Sequence, residues 1–315
     1  MNYFSNTHLA HSTATNYNNK INKWISIMPP DKNNIPYIFL HPYFSFLTLR
    51  QHLAKHSTDT SQTLNSYTKA IMSAYEHNSQ LFVHIDREKF IKAQNTWKDL
   101  RQKTYEHANG YRFEQKPSPT QNLKSGSSLK FTDLITKRNE LPDGSIHKLL
   151  LSFYTYIPPV RADFYSTQLI KFNELPSFPN CIYYNDSKSY LKLTDFKTNT
   201  LYKSIEYELP SELHTQLTLS LKDNPRSFLF QNKDGQPFNR KTFSEWTTNT
   251  LTTIFKKEFT LTLFRHIYIS SLDPNTPSEV LFDISRKMGH SITQQMLYKW
   301  KEQNQDAIGS QEDIS

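Results

Sequence analysis

A single cysteine is all the chain carries, Cys181 in FPNCIYYN, so no internal disulfide framework exists and no Cys-rich zinc site can be built. No apolar run approaches the roughly 18 residues expected of a membrane-spanning helix, and the opening MNYFSNTHLAHSTATNYNNK lacks the basic-then-apolar pattern of a secretory signal. These absences predict an intracellular protein that needs neither a disulfide nor a membrane. Acidic residues are outnumbered, 29 Asp and Glu against 37 Lys and Arg, and the resulting net charge of +8 suits a polyanion such as DNA or RNA. Hydrophobic content of 36% and aromatic content of 14% suffice for a packed core and exclude wholesale disorder. At 315 residues the chain exceeds one typical domain, so two are expected.

Up to about residue 115 the pattern is helical, broken by prolines and polar loops. Apolar positions recur at helical spacing in NYNNKINKWISIM (Tyr17, Ile21, Trp24, Ile25, Met28) and in SQTLNSYTKAIMSAY (Leu64, Tyr67, Ile71, Ala74). HLAHST at 8–13 echoes HLAKHST at 52–58, and both runs carry Thr-x-x-x-Tyr, which suggests one helical unit used twice. His52 and His56, four apart, share a helix face, but with no acidic or cysteine partner in sight they read as surface or capping residues rather than metal ligands. The Pro- and Ser-rich segment EQKPSPTQNLKSGSS separates this part from the rest. The expected organisation is a helical domain over 1–115, a linker over 116–121, a second domain over 122–300 and a polar tail over 301–315.

In the second domain SIHKLLLSFYTYIPPVRADFYSTQ reads as a buried helix stopped by Pro158-Pro159, with another helix beginning near Asp163. Arg161 then sits in a constrained turn. CIYYN, YLKLTDF and LYKSIEYEL alternate roughly and predict a small antiparallel sheet, with Lys197 at a hairpin tip before the turn TNT. Helices return in PSELHTQLTLSL, KTFSEWTTNTLTTIF, LTLFRHIYISSL, PSEVLFDISRKM and SITQQMLYKW, with a short strand and turn at SFLFQNKDGQPF. Gly289 fits a helix C-terminal cap and Ser291 an N-cap, which places His290 at a sharp junction and Tyr298 two turns into the last helix. The expected fold class is mainly α with a small antiparallel β-sheet, α+β.

Arg161, Lys197, Arg265, His290 and Tyr298 thus follow one another at turns and helix starts. PPVRADF, DFKTNTLYKSIEYELP, LTLFRHIYISSL and MGHSITQQMLYKW resemble the successive signature boxes of the tyrosine recombinases, the phage-integrase family. The resemblance spans about residues 145–300. The wording of RHIYIS and MGHS is similar to integrases carried by large DNA viruses, virophages and related mobile elements. It implies a helical N-terminal DNA-binding domain joined to a catalytic domain, acting on double-stranded DNA as a homotetramer on paired sites.

The chemistry the resemblance implies exchanges one phosphodiester for another, so bond energy is conserved and no metal, ATP or other cofactor is required. Arg161 and Arg265 would fork onto the two non-bridging oxygens, whose charge grows in the transition state. His290 would add a hydrogen bond to the same oxygens, and Lys197 would protonate the departing 5′-oxygen. Lys192 and Lys203 stand on neighbouring strand positions and compete for that last role. Tyr298 would be the nucleophile, left joined to the DNA 3′-phosphate with a free 5′-hydroxyl. Where the family usually has His, three residues before the second arginine, this chain has Thr262, which cannot act as a base; deprotonation of Tyr298 then falls to His290 or water. Asp163 lies where the family often places a carboxylate that orients the arginine, and it equally fits a helix N-terminal acid.

Lys20, Lys23, Lys69, Arg87, Lys89 and Arg101 are candidate phosphate contacts of the N-terminal domain. By the same resemblance the tail after Tyr298 docks on a neighbouring protomer. Integration, excision or resolution of a mobile or viral genome are all open, as is action in a host nucleus or a cytoplasmic viral factory. Two alternatives remain: a type IB topoisomerase-like relaxase with a similar residue set, and a catalytically degenerate DNA-binding protein.

Overall fold

The computed structural model describes Phe4 and residues 8–57, 60–118, 121 and 124–300. The chain divides into two compact units, Met1–Glu114 and Gln115–Ser315. Residues 119 and 120 of the expected linker and the whole tail 301–315 lie outside the described residues, as does Thr58 of the second HLA match.

The first unit is helical: α1 (His11–Ile27), α2 (Ile35–Leu40), α3 (Pro42–Ala54), α4 (Ser61–His77) and α5 (Arg87–Phe113). Both apolar runs found in the sequence become helices, α1 and α4, and both feed one core containing Ile21, Trp24, Leu64, Ile71 and Trp97. The two indoles meet edge to face at 5.3 Å. Pro42 has no N–H to give, so the chain breaks between α2 and α3. Next to that break the Phe39 carbonyl accepts from the Trp97 indole (2.9 Å) and the Tyr75 hydroxyl (2.8 Å). The buried positions of α5, Ala93, Trp97, Leu100, Thr104 and Ala108, recur every three or four residues and make one stripe. Of the candidate DNA contacts, Lys20 and Lys23 are on α1, Lys69 on α4, and Arg87, Lys89 and Arg101 on α5. Lys20 is half-buried over the Tyr67 ring at 5.4 Å, and burial lowers its pKa.

The second unit opens with α6 (Phe131–Glu140) and α7 (Ile146–Thr155). The Ser145 side chain caps α7 by accepting from the Lys148 N–H, and every residue from Leu149 to Thr155 is buried. A four-stranded sheet follows, β1 (Gln168–Lys171), β2 (Cys181–Tyr184), β3 (Ser189–Leu193) and β4 (Ile205–Glu208), in the order β1-β2-β3-β4. The inward positions of β3 alternate, Ser189, Leu191 and Leu193. The β3–β4 connection holds a single helical turn, α8 (Asn199–Tyr202). Then come α9 (Ser211–Asp223), α10 (Arg240–Phe255), α11 (Leu261–Ser270), α12 (Ser278–Lys287) and α13 (Ile292–Met296). Among the described residues no helix is long and apolar enough to cross a membrane.

Four expectations are corrected. The sheet is mixed, because β1 runs parallel to β2 and Gln168 pairs with Cys181. No helix starts at Asp163: residues 163–166 form a turn into β1, whose free edge bonds to 227–229 through the Leu169 N–H to Ser227 and the Leu229 N–H to Thr167, both 2.8 Å. SFLFQNKDGQPF contributes only isolated bridges, Gln168 to Phe228 and Gln231 to Pro237. Tyr298 lies past the end of α13, because residues 298–300 turn away to bond onto α11.

Candidate active site

The Pro158-Pro159 pair ends the α7 region and leaves Arg161 in an extended turn fixed at both backbone groups. Its N–H donates to an Asp163 carboxylate oxygen (3.2 Å), and its carbonyl accepts from the buried Tyr154 hydroxyl (2.9 Å). Arg265 projects from the middle of α11 and is 1% exposed. One of its nitrogens, Nη1, donates to the carbonyls of Pro159 and Met288, both at 3.3 Å; Nε and Nη2 are buried with no hydrogen-bond acceptor. Burial pulls its pKa down to about 10, with Tyr298 opposing and Arg161 adding to the fall.

His290 follows the end of α12. The Gly289 N–H bonds to the Arg286 carbonyl and the His290 N–H to the Ser285 carbonyl, each 3.0 Å, with Gly289 at φ +65°, which is the paired-bond stop that glycine permits at a helix end. Ser291 then caps α13 by accepting from the Gln294 N–H. The freed Gly289 carbonyl accepts from Arg161 Nη1 (3.4 Å) and from the Thr198 hydroxyl (2.6 Å). One carbonyl therefore ties the first arginine, the β3–β4 connection and the His290 turn together. His290 Nδ1 lies 3.0 Å from the Ser291 carbonyl, which can only accept, so Nδ1 carries the proton and Nε2 is left bare, buried and unpartnered. Burial first, then Arg265 and Arg161, hold the imidazole down at about 3.

Replacing Gly289 by alanine should cost about 1–2 kcal/mol for the left-handed backbone alone. The added Cβ would also stand 3.3 Å from both Ile205 and Phe196. A urea midpoint unchanged from wild type would contradict this.

Tyr298 is held in place by its neighbours on α11. His266 Nδ1 donates to the Tyr298 carbonyl (2.9 Å), its ring stacks on Trp300 at 4.5 Å, and the Trp300 N–H bonds to the Ser270 hydroxyl (2.8 Å). The Tyr298 ring covers the Arg265 guanidinium at 4.8 Å and comes within 5.6 Å of the His290 ring.

Arg161, Lys197, Thr262, Arg265 and Tyr298 line one cleft of about 460 Å³, and His290 is buried behind it. Lys197 lies in the β3–β4 hairpin connection, but not before a plain turn: it stands between buried Phe196 and tethered Thr198, just ahead of the helical turn α8. Lys192 pairs with Glu206 at 3.3 Å and Lys203 follows α8; of the three lysines only Lys197 lines the cleft. Asp163 neither begins a helix nor holds the Arg161 guanidinium. Buried, it braces the Arg161 backbone and pairs with Arg240 at 2.6 Å. Sequence reading missed Arg240, Asp195 and Ser244, which also line the cleft, and His266, which sits beneath Tyr298. His52 and His56 have their rings 5.2 Å apart, and no group of three or more His, Cys, Asp or Glu suited to a metal ion occurs among the described residues.

Chemically, the cleft offers three guanidinium groups, an ammonium, a carboxylate and a phenol, with the buried imidazole of His290 and its bare nitrogen next to them. That set can bind a tetrahedral oxyanion, supply a nucleophile and move protons at both ends of a displacement. No protein-family model matches the chain. No curated protein matches it either. Among solved structures, the crystal structure of XerA recombinase aligns over 93% of this chain and 89% of its own, at 15% identity and a TM-score of 0.40; a likeness at that level decides neither fold nor function.

Proposed function

We propose that the chain is a tyrosine recombinase that cleaves and rejoins double-stranded DNA through a covalent 3′-phosphotyrosyl intermediate. The observation that carries this reading is Arg265: a buried guanidinium with two N–H-bearing nitrogens that make no well-aligned hydrogen bond to the protein, only the Tyr298 phenol standing close by, beside Arg161 and under the ring of Tyr298. A structural arginine at that depth would have its donors satisfied. Arg226 in the same unit shows the contrast, with its nitrogens bonded to the Ser220, Asn224 and Leu229 carbonyls and the Ser220 hydroxyl. A phosphodiester oxygen is the acceptor that Arg265 suits.

In this reading Arg161 and Arg265 hold the non-bridging oxygens of the phosphate. Tyr298 Oη attacks phosphorus as the bond to the 5′-oxygen breaks. The phenol proton passes to His290 Nε2 or to water, and Lys197 protonates the leaving oxygen. Attack by the 5′-hydroxyl of a partner strand reverses each transfer and releases Tyr298. Thr262, exposed on the first turn of α11, contributes at most a hydrogen bond to the phosphate. The resemblance to integrases of viral and mobile elements extends the proposal to insertion or excision of such an element, by a tetramer on paired sites, in a host nucleus or viral factory.

The test works without a defined target site. Wild type, Tyr298→Phe and Thr262→Ala are mixed with a fragment library of the source genome, stopped with detergent, and the protein-linked DNA is sequenced. Adducts are expected with wild type, with Thr262→Ala at reduced yield, and never with Tyr298→Phe; one 3′ junction should recur. Binding by all three without any adduct would establish a DNA-binding protein instead. Relaxation of supercoils without strand exchange would establish a relaxase.

A further inference from the structure

Arg240 is the first residue of α10, whose N-terminus is capped by Asn239 accepting from the Thr242 N–H (2.9 Å). Its guanidinium pairs with Asp163 at 2.6 Å and lies over the Tyr165 ring at 5.1 Å. Tyr165 is fixed in turn by donating its hydroxyl to Asp195, the one carboxylate lining the cleft. This is an arginine held on two sides, yet its side chain remains 42% exposed while that of Asp163 is 3% exposed. Neutralising Asp163 would require no such exposure. One turn along the same helix face, Ser244 also lines the cleft and is exposed. Arg161 and Arg265 are anchored elsewhere, on the carbonyls of the 288–289 turn. Arg240 thus brings its charge to the cleft from a different support.

We propose that Arg240 and Ser244 form a second phosphate position in the cleft, taking a DNA phosphate that adjoins the one under attack; the proposal rests on the recombinase reading. Asp163 is the bracket of both positions, with one oxygen on the Arg161 N–H and the other on Arg240. The positive end of the α10 dipole adds to the attraction. Pre-fixing the fork reduces the entropy lost when the phosphate binds.

The experiment is a salt titration of affinity for a random-sequence duplex oligonucleotide, read by fluorescence anisotropy. Each phosphate contact contributes about 0.9 to the slope of log K against log salt. The double variant Arg240→Gln/Asp163→Asn removes one cation and one anion, leaving the net charge unchanged, and should still lower the slope by about 0.9. Lys241→Gln, whose parent side chain is 85% exposed and pairs with Glu245 outside the cleft, should leave the slope unchanged. Ser244→Ala, at an exposed position that cannot compromise folding, should weaken binding about 5-fold, the value of one hydrogen bond of roughly 1 kcal/mol. A double variant with the wild-type slope, or Ser244→Ala with wild-type affinity, would overturn the proposal. Adduct formation by wild type is scored separately. Loss of slope without any adduct would sink the recombinase reading and keep the contact; an adduct without loss of slope would do the reverse.

Discussion

Arg265→Met is expected to make the protein more stable and catalytically dead. The unfolded chain solvates this guanidinium fully, whereas the folded chain buries it and pulls its pKa from 12.5 to about 10. At 1.36 kcal/mol per unit, the charged form is disfavoured by roughly 3 kcal/mol on folding. Against that stand two bonds to carbonyls, both long at 3.3 Å, together worth roughly 1–3 kcal/mol. An unbranched apolar side chain should fill the space, much as replacing a buried ion pair by apolar residues of similar volume leaves stability unchanged or raises it by about 1–4 kcal/mol. The net expectation is a gain of up to about 2 kcal/mol, read from denaturant midpoints. Adduct formation should fall at least ~10³-fold, because the two unpartnered nitrogens of Arg265 are the donors proposed for the transition-state oxygens, and loss of one such donor already costs ~10²–10³. Arg265→Lys should rescue neither property, since an ammonium lacks the fork and is still a buried charge. An Arg265→Met protein that melts below wild type, or still forms adducts at a comparable rate, would refute the idea that this arginine is kept for an anion at the expense of stability.

How far the sequence foretold this site depends on how local each feature is. Gly289 and Ser291 announced the His290 turn because helix stops and caps are written within a few residues. α10, α11 and α12 were legible from their apolar spacing for the same reason. β1 was not: QLIK is four residues long, and its parallel pairing with β2 and its bonds to 227–229 are between segments remote in sequence. The Pro-Pro stop followed by Asp163 looked like a helix start because an acid after a break is common there. In the structure that acid is spent on Arg240, 77 residues away. The early end of α13 was equally hidden, since it depends on His266 and Ser270 taking up the backbone groups of Tyr298 and Trp300 from another helix. Arg161, Lys197, Arg265 and Tyr298 could be named from the sequence, but their convergence on one cleft could not. For the arginines and the Lys197 loop it comes from two carbonyls, those of Met288 and Gly289, while Tyr298 is brought in by His266 and Ser270 of α11.

Those carbonyls lead into His290, whose titration gives the second large effect. In the unfolded chain its imidazole titrates near 6.5; in the folded protein burial beside Arg265 and Arg161 lowers that to about 3. Between these values the unfolded state binds a proton that the folded state refuses, so stability must rise with pH through this window and be complete above about 6.5. The slope owed to this one group is about 1.4 kcal/mol per pH unit. His290→Gln removes it, so the stability difference between wild type and variant should grow by that amount for each unit of pH between about 4 and 6. The same depression bears on catalysis. In the proposed mechanism a base must be neutral to accept the Tyr298 proton; a histidine kept neutral far below 6.5 has that form at any physiological pH, although the same depression makes it a weak acceptor until the phosphate of bound DNA raises its pKa. Single-turnover adduct formation by wild type should therefore run level from pH 8 to about 5, with no inflection near 6.5. An inflection there would mean that His290 titrates like a solvated imidazole once DNA is bound. It would then act as a cationic hydrogen-bond donor to the phosphate, and the proton of Tyr298 would leave through water.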